Sequence, residues 1–230
     1  MKSKTAYLMT LLRLLAYFIG FDATCSHVFA QQEMESTKPN LSVAVLVDTS
    51  THQKKVIEVE REAVNSIADG FASIATDAFA VRYADEVQLL QDWSPIKELK
   101  AVSPRIESDD ESGQNQRTLL YEALDTALSK LDPASSTNSK VLIVIGEGNN
   151  AGGRIKYSEI KKRAKSARVQ CFVLLVADHN LMGGRVRHYG FDLYDLASAT
   201  KGKAYDVERS RKNLEKAIRD VLKRVQLARD

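Results

Sequence analysis

The stretch Leu41 to Val47 reads LSVAVLV, and Ser42 is its one polar residue. Two later stretches, Val141 to Ile145 (VLIVI) and Cys171 to Val176 (CFVLLV), have the same apolar character. Nearly continuous runs of this kind, rich in β-branched residues, are typical of strands that are covered on both faces. We therefore predict that the three stretches are central strands of a parallel sheet.

Helical patterns lie between and after these strands. Apolar residues recur there at spacings of three, four and seven, the period of a helix with one buried face. They are Ile57, Val64, Ile67, Phe71 and Ile74; Leu120, Leu124, Ala127 and Leu131; and Leu214, Ile218, Val221 and Val225. The alternation of strand and helix predicts a doubly wound, Rossmann-like α/β fold with helices on both faces of a mostly parallel sheet.

Two further apolar stretches are joined too closely for a parallel crossover. Asp77 to Ala84 (DAFAVRYA) and Val87 to Trp93 (VQLLQDW) are separated only by Asp85-Glu86. A parallel connection needs about a dozen residues or more, so these stretches must pair as a hairpin. With Lys203 to Val207 (KAYDV) as a short last strand, the sheet has six strands, and one edge strand is antiparallel.

The first 30 residues have the layout of a secretory signal peptide. A basic start is followed by an apolar stretch from Ala6 to Phe21, and Val28-Phe29-Ala30 precedes a polar run. This order predicts cleavage between Ala30 and Gln31 and a secreted or periplasmic protein. Residues 31–40 are then a polar linker, and residues 41–228 form a single domain.

Two other fates of the leader stay open. One is an uncleaved membrane anchor, although Arg13 divides the apolar stretch into segments shorter than the roughly 20 residues of a spanning helix. The other is a lipid anchor at Cys25, but Asp22-Ala23-Thr24 lacks the apolar residue that such signals carry. After cleavage no transmembrane span is expected.

The charge balance gives no global attraction to nucleic acid or to anionic lipid. The chain has 33 Lys and Arg against 30 Asp and Glu, and without the leader 30 remain against 29. The basic run Lys161 to Arg168 is therefore interpreted as the solvated face of a helix. Cys171, the one cysteine after the leader, lies in an apolar stretch and is expected to be a buried, inert thiol.

Three loops are predicted to meet at the carboxyl ends of the parallel strands, where open sheets of this class bind ligands. They contain Asp48 and Ser50 after the first strand, Thr118 before a helix, and Glu147 after the strand 141–145. Carboxylates and hydroxyls from separate loops suit a hard cation such as Mg²⁺. The alternative is that Ser50 and Thr118 are helix N-caps and Asp48 is a loop acid.

Four motifs of the chain resemble the von Willebrand factor A-type family, most closely its exported bacterial members. They are Asp48-x-Ser50 after a buried strand, TLLYEAL from Thr118, IGEG ending a strand at 145–148, and LASATKGKAY at 196–205. The resemblance covers about residues 40–228 and implies a six-stranded sheet with a metal-ion-dependent adhesion site. That site uses Asp-x-Ser-x-Ser, a Thr and a later Asp, and the partner commonly completes the metal shell with a carboxylate.

The chain departs from that pattern at two positions. His52 stands in the place of the second serine and offers a nitrogen that Mg²⁺ disfavours. Glu147 stands in the place of the later Asp and is one methylene longer. Asp48, Ser50, Thr118 and Glu147 therefore predict a degenerate site that binds Mg²⁺ or another divalent cation weakly, and partner binding that is metal-assisted or metal-independent.

Further candidate partner-binding residues lie in the loop Asp178 to Gly190 (DHNLMGGRVRHYG), which follows another strand of the same sheet. Its basic and aromatic residues suit an anionic group, although a solvated surface loop has the same composition. Its histidines, His179 and His188, have no neighbouring ligand pair and are not assigned to a metal. The full set of partner-binding candidates is Asp48, Ser50, His52, Thr118, Glu147, Asn149, Arg185, Arg187 and Tyr189.

An enzyme is the alternative class. Gly146 to Ala151 (GEGNNA) formally fits a nucleotide-binding GxGxxA turn, so a nucleotide-binding enzyme using the Gly-rich loop 146–153 stays as the second hypothesis. The turn follows a late strand, however, whereas a dinucleotide fold places it after its first strand. No Ser-His-Asp arrangement can be singled out. We therefore expect a binding module without catalysis, whose partner is an extracytoplasmic protein or a glycan and not nucleic acid.

Overall fold

The computed structural model describes residues 40–108, 117–132, 139–177 and 190–229. All six predicted strands are present: β1 (Leu41–Asp48), β2 (Asp77–Tyr83), β3 (Val87–Pro95), β4 (Ser139–Gly146), β5 (Val169–Leu175) and β6 (Lys203–Asp206). They form one sheet in the order β3-β2-β1-β4-β5-β6. Neighbouring strands are parallel except β2 and β3. The predicted mostly parallel sheet with one antiparallel edge strand is confirmed.

The described ranges contain five α-helices: α1 (Ile57–Phe71), α2 (Leu120–Leu131), α3 (Tyr157–Ser166), α4 (Phe191–Ala199) and α5 (Arg211–Leu227). Three of the five, α1, α2 and α5, lie where the apolar periods predict them. The period that predicts α1 extends too far, because the helix ends at Phe71 and Ile74 packs against the core from the following turn. In the described part of the chain, no helix combines the length and the apolar character needed to span a membrane.

Both faces of β1 are covered, which explains its continuous apolar sequence. Val43, Val45 and Val47 point into one core layer with α1 and α5. Ala44 and Leu46 point into the opposite layer, with α2, α3 and α4. Leu46 stands in register with Val81 on one neighbouring strand and with Val144 on the other.

Cys171 lies on β5 and is buried, as the sequence predicts. Burial raises the pKa of its thiol to about 12, so at neutral pH it stays protonated.

Candidate functional site

The strand order reverses at β1, and the loops after β1 and β4 therefore open side by side. Asp48 is the last residue of β1, and Glu147 follows the last residue of β4. The sheet thus brings together the two acids that the sequence assigns to one site. This arrangement is the crevice in which open α/β sheets bind their ligands.

Asp48 is fully buried at this crevice. One carboxylate oxygen, Oδ1, accepts a hydrogen bond from the Ser50 backbone N–H at 3.0 Å. The other, Oδ2, and the Ser50 hydroxyl are buried with no hydrogen-bond partner in the described parts of the chain. Two buried oxygens are therefore left for a donor or a cation that the described residues do not supply.

Gly146 is needed to make room for this carboxylate. Its φ is +147°, and a Cβ there would lie 2.4 Å from the Cβ of Asp48 and 3.1 Å from the hydroxyl oxygen of Tyr83. A larger residue at the end of β4 would therefore displace Asp48.

The acids at this end of the sheet are hard to ionise. The pKa of Asp48 is raised to about 7, chiefly by burial and to a smaller degree by the Glu147 charge, while hydrogen bonding to Ser50 opposes the rise. Burial likewise raises the pKa of Glu147, against the opposing charge of His52. Burial is therefore the main reason why Asp48 and Glu147 hold their protons more tightly than exposed acids do.

Sequence reasoning missed two residues beside these acids. Glu60 of α1 is fully buried, and burial followed by the charges of Asp48 and Glu147 raises its carboxyl pKa well above the usual range. Tyr83 ends β2 with its hydroxyl buried, and its pKa is also raised, first by burial and then by Asp48. The signal for Glu60 was present, since it stands three residues after Ile57 and four before Val64 on the apolar stripe.

Glu60 is linked to the loop side of the site through Gln53. In the amide orientation that satisfies its neighbours, Gln53 Nε2 donates to the Val176 carbonyl and to Glu60 Oε1, both at 3.1 Å. The other oxygen, Glu60 Oε2, has no partner among the described residues. Even so, the described ranges contain no group of three or more His, Cys, Asp or Glu side chains arranged to hold a metal ion.

Thr118 is held in place by its backbone. Its N–H and carbonyl exchange hydrogen bonds of 2.9 Å with Ala151, so the segment before α2 pairs with the loop after β4. For the two hydroxyl residues, the N-cap alternative lacks its side-chain hydrogen bond. Ser50 precedes the short helix Thr51–Lys55 without a side-chain cap bond, and α2 is preceded by Leu119.

The Gly-rich loop after β4 is fastened to α2 by side chains as well. Asn150 Oδ1 accepts from the Tyr121 N–H at 3.0 Å, and Glu122 Oε1 accepts from the N–H groups of Arg154 and Ile155 at 2.6 and 3.3 Å. With Ala151 N–H bonded to Thr118, three backbone donors of this region are already used. A phosphate at this loop, as the nucleotide hypothesis requires, would have to displace them.

The remaining candidates are less defined. His52 is exposed on the short helix Thr51–Lys55, and Asn149, two residues after Glu147 in the chain, is half-buried. Arg185, Arg187 and Tyr189 lie outside the described residues, as do His179 and His188.

Comparisons with known proteins agree with this architecture. The family model of the von Willebrand factor type A domain matches residues 42–221. No curated protein matches the chain in a sequence search. The similar solved structures include BatB from Bacteroides thetaiotaomicron, with 18% identity over 81% of this chain and 100% of that one, at a TM-score of 0.63.

Two further structures share the fold at lower identity. An aerotolerance-related membrane protein from Bacteroides fragilis is 16% identical over 82% of this chain and 100% of its own, with a TM-score of 0.60. The pilus adhesin SpaC from Lactobacillus rhamnosus GG is 11% identical over 84% of this chain and 31% of its own, with a TM-score of 0.57.

Proposed function

The chain belongs to the von Willebrand factor type A family, and from that premise we propose that it is an exported module that binds a partner protein through the carboxyl-end face of its sheet. Domains of this family are typically interaction modules and not enzymes. The proposed face contains Asp48, Ser50, His52, Thr118, Glu147 and Asn149, together with Arg185, Arg187 and Tyr189 of the following loop.

The observation that carries the proposal is the pair of buried oxygens without partners, Asp48 Oδ2 and Ser50 Oγ. A buried polar group without a partner costs about 1–3 kcal/mol, which a bound donor would recover. A partner that places an N–H or O–H group in the crevice would therefore gain a hydrogen bond that solvent does not readily supply to these buried oxygens. An extracytoplasmic protein is the expected partner, and a glycan, rich in hydroxyl donors, is the alternative.

The site fits a divalent cation only in part. Asp48, Ser50 and Thr118 match the family's metal motif, and the two buried oxygens suit a hard ion. His52 and Glu147 depart from it, and the described ranges hold no three-ligand acidic or histidine group. We therefore propose a degenerate metal site, at which a divalent cation binds weakly and partner recognition proceeds without it.

A capture experiment tests the partner face. The tagged mature chain is incubated with exported proteins of the source organism, with and without EDTA, beside Asp48→Ala and the control Lys216→Gln on the exposed side of α5. We expect capture by the parent and the control, loss with Asp48→Ala, and no effect of EDTA. Equal capture by Asp48→Ala would contradict the proposed binding face. Loss of capture in EDTA would show that partner binding requires the metal.

Calorimetry with Mg²⁺ or Mn²⁺ tests the degeneracy directly. His52→Ser with Glu147→Asp restores the family's ligands and should bind the ion more tightly than the parent, while Asp48→Ala should abolish any binding. Addition of Mg²⁺ should raise the melting temperature of the parent only slightly and that of Asp48→Ala not at all, because the parent binds the ion weakly and the variant has lost a ligand. A large rise for the parent, or parent binding as tight as that of the double variant, would show a functional metal site.

Export rests on the leader. We propose that residues 1–30 are a cleaved signal peptide, that residues 31–40 are a linker, and that residues 41–228 are the interaction domain in a secreted or periplasmic protein. Similar folds in a pilus adhesin and in a membrane protein accord with a role outside the cytoplasm.

A further inference from the structure

A cleft of about 530 Å³ lies at the opposite end of the sheet from Asp48, where β4 and β5 begin. Its apolar floor contains Val141 and Val169, and its rim is formed by the ends of three helices, α3, α4 and α5. Five cationic residues line it, and we call it the basic cleft: Lys140, Lys165, Arg168, Lys201 and Arg229.

Positive charge predominates among the described residues of the basic cleft. No acidic residue is among the described residues that line it. Within the described ranges, Lys140, Lys165, Arg168 and Lys201 form no salt bridge with a carboxylate. Three helix carboxyl ends contribute about half a negative charge each, roughly −1.5 in total, against these four cations. An excess of positive charge therefore remains after the helix ends are counted.

Two of these cations occupy positions that favour glycine. Arg168 follows the last turn of α3 with φ +55°, and Lys201 follows that of α4 with φ +62°. Glycine is the residue that adopts this left-handed conformation without cost, and helices commonly end on it. Basic side chains at both positions thus cost stability, and both line the same cleft. This pattern favours a role in ligand binding over simple neutralisation of the helix ends.

We propose that the basic cleft is a binding site for a compact polyanion that carries phosphate groups. Its volume is that of a small-molecule site, and arginine with lysine is the usual donor set for phosphate oxygens. A phosphate group is small enough to enter the cleft, whereas the flat surface of a large partner would not reach its floor. A soluble phosphate compound and a phospholipid headgroup share this chemistry. The site is separate from the partner face and does not depend on it.

Titration calorimetry of the mature chain with tripolyphosphate tests the proposal. The cleft variant is Arg168→Gly with Lys201→Gly, which removes two cleft charges and at the same time relieves two left-handed positions. We expect saturable binding by the parent and about tenfold weaker binding by the cleft variant. Its melting temperature should be equal or higher, so the loss cannot come from unfolding.

The matched control is Lys212→Gln with Lys216→Gln, which removes the same charge from the exposed side of α5. It should bind tripolyphosphate as the parent does. An equal loss in the control, parent-like binding by the cleft variant, or no saturable binding by the parent would each overturn the proposal. Co-sedimentation with phosphatidylglycerol vesicles separates the two sources. If the parent chain binds the vesicles and tripolyphosphate displaces it, the ligand is the phospholipid headgroup. If the parent chain binds tripolyphosphate but not the vesicles, the ligand is a soluble phosphate compound.

Discussion

Glu60 is a carboxylic acid packed inside the core layer between α1 and the sheet. Burial, with the charges of Asp48 and Glu147, raises its pKa well above the usual range. A carboxyl whose folded-state pKa is raised keeps its proton in the folded protein while the unfolded chain has lost it. The free energy of unfolding therefore falls as the pH rises from about 4.5 toward the folded-state pKa.

Glu60→Gln should remove this penalty, because the amide has the same shape and no charge. We expect the variant to be more stable than the parent by about 1–3 kcal/mol near pH 8 and by less near pH 5, in urea unfolding at both values. The control is Glu58→Gln on the exposed side of α1, which should change stability by no more than about 0.5 kcal/mol. A Glu60→Gln variant that is destabilised equally at both pH values would contradict the buried-charge explanation.

The sequence predicts part of this site because parallel strands end at one edge. That rule alone brings Asp48, Ser50 and Glu147 together. It does not predict Gln53, because a polar residue type normally indicates a solvent-facing position and the burial of Gln53 depends on packing against the sheet. Glu60 is missed for the same reason, although its place on the apolar stripe of α1 indicates burial. The sequence also indicates Asn149 as a candidate, whereas in the structure its neighbour Asn150 accepts the hydrogen bond from the first turn of α2. The loop conformation decides which of the two side chains faces the helix.

At the scale of elements, β1 organises the sheet. Leu46 is fully buried between two parallel neighbours, so Leu46→Ala should lower the free energy of unfolding by about 2–5 kcal/mol through lost apolar burial and a residual cavity. The control Leu89→Ala lies on the edge strand β3, where the side chain is 46% exposed, and should cost less than about 1 kcal/mol. Similar losses for both variants in denaturant melts would contradict the central position of β1.

The junction between the Gly-rich loop and α2 gives a second prediction at this scale. Asn150→Ala removes the acceptor for the Tyr121 N–H in the first turn and should cost about 0.5–2 kcal/mol, as the loss of a helix cap does. Asn149→Ala is the matched control and should leave thermal stability within about 0.5 kcal/mol of the parent. If the two neighbours prove equal in melting experiments, Asn150 does not fasten the loop.

Element types follow from the sequence more readily than their ends do. The two-residue connection makes the β2–β3 hairpin unavoidable, and strands covered on both faces have a distinctive composition. The short helices Ile96–Ala101 and Ser103–Arg105 show no such pattern, because each is shorter than two turns of a regular helix.

At the scale of the whole molecule, a nearly neutral chain separates its charges between the two ends of the sheet. Buried acids gather at the carboxyl ends of β1 and β4, while the basic cleft lies at the starts of β4 and β5. The net charge cannot reveal this separation, because it sums the two ends. Lys165 and Arg168, read from the sequence as part of a solvated helix face, line the cleft because α3 and the turn after it end there.

The last prediction concerns the processing of the chain. Val28 and Ala30 are small residues just before a polar run, the arrangement that signal peptidases cleave, so exported protein should begin at or near Gln31. N-terminal sequencing and intact mass separate the three fates of the leader. Cleavage as proposed gives Gln31, a lipid anchor gives a heavier product that begins at Cys25, and an uncleaved anchor keeps Met1 on membrane-bound protein. We do not expect the uncleaved anchor, because Arg13 would lie within the inserted segment at a cost that its short apolar neighbours offset poorly. Recovery of Met1 from the membrane fraction would therefore refute the prediction.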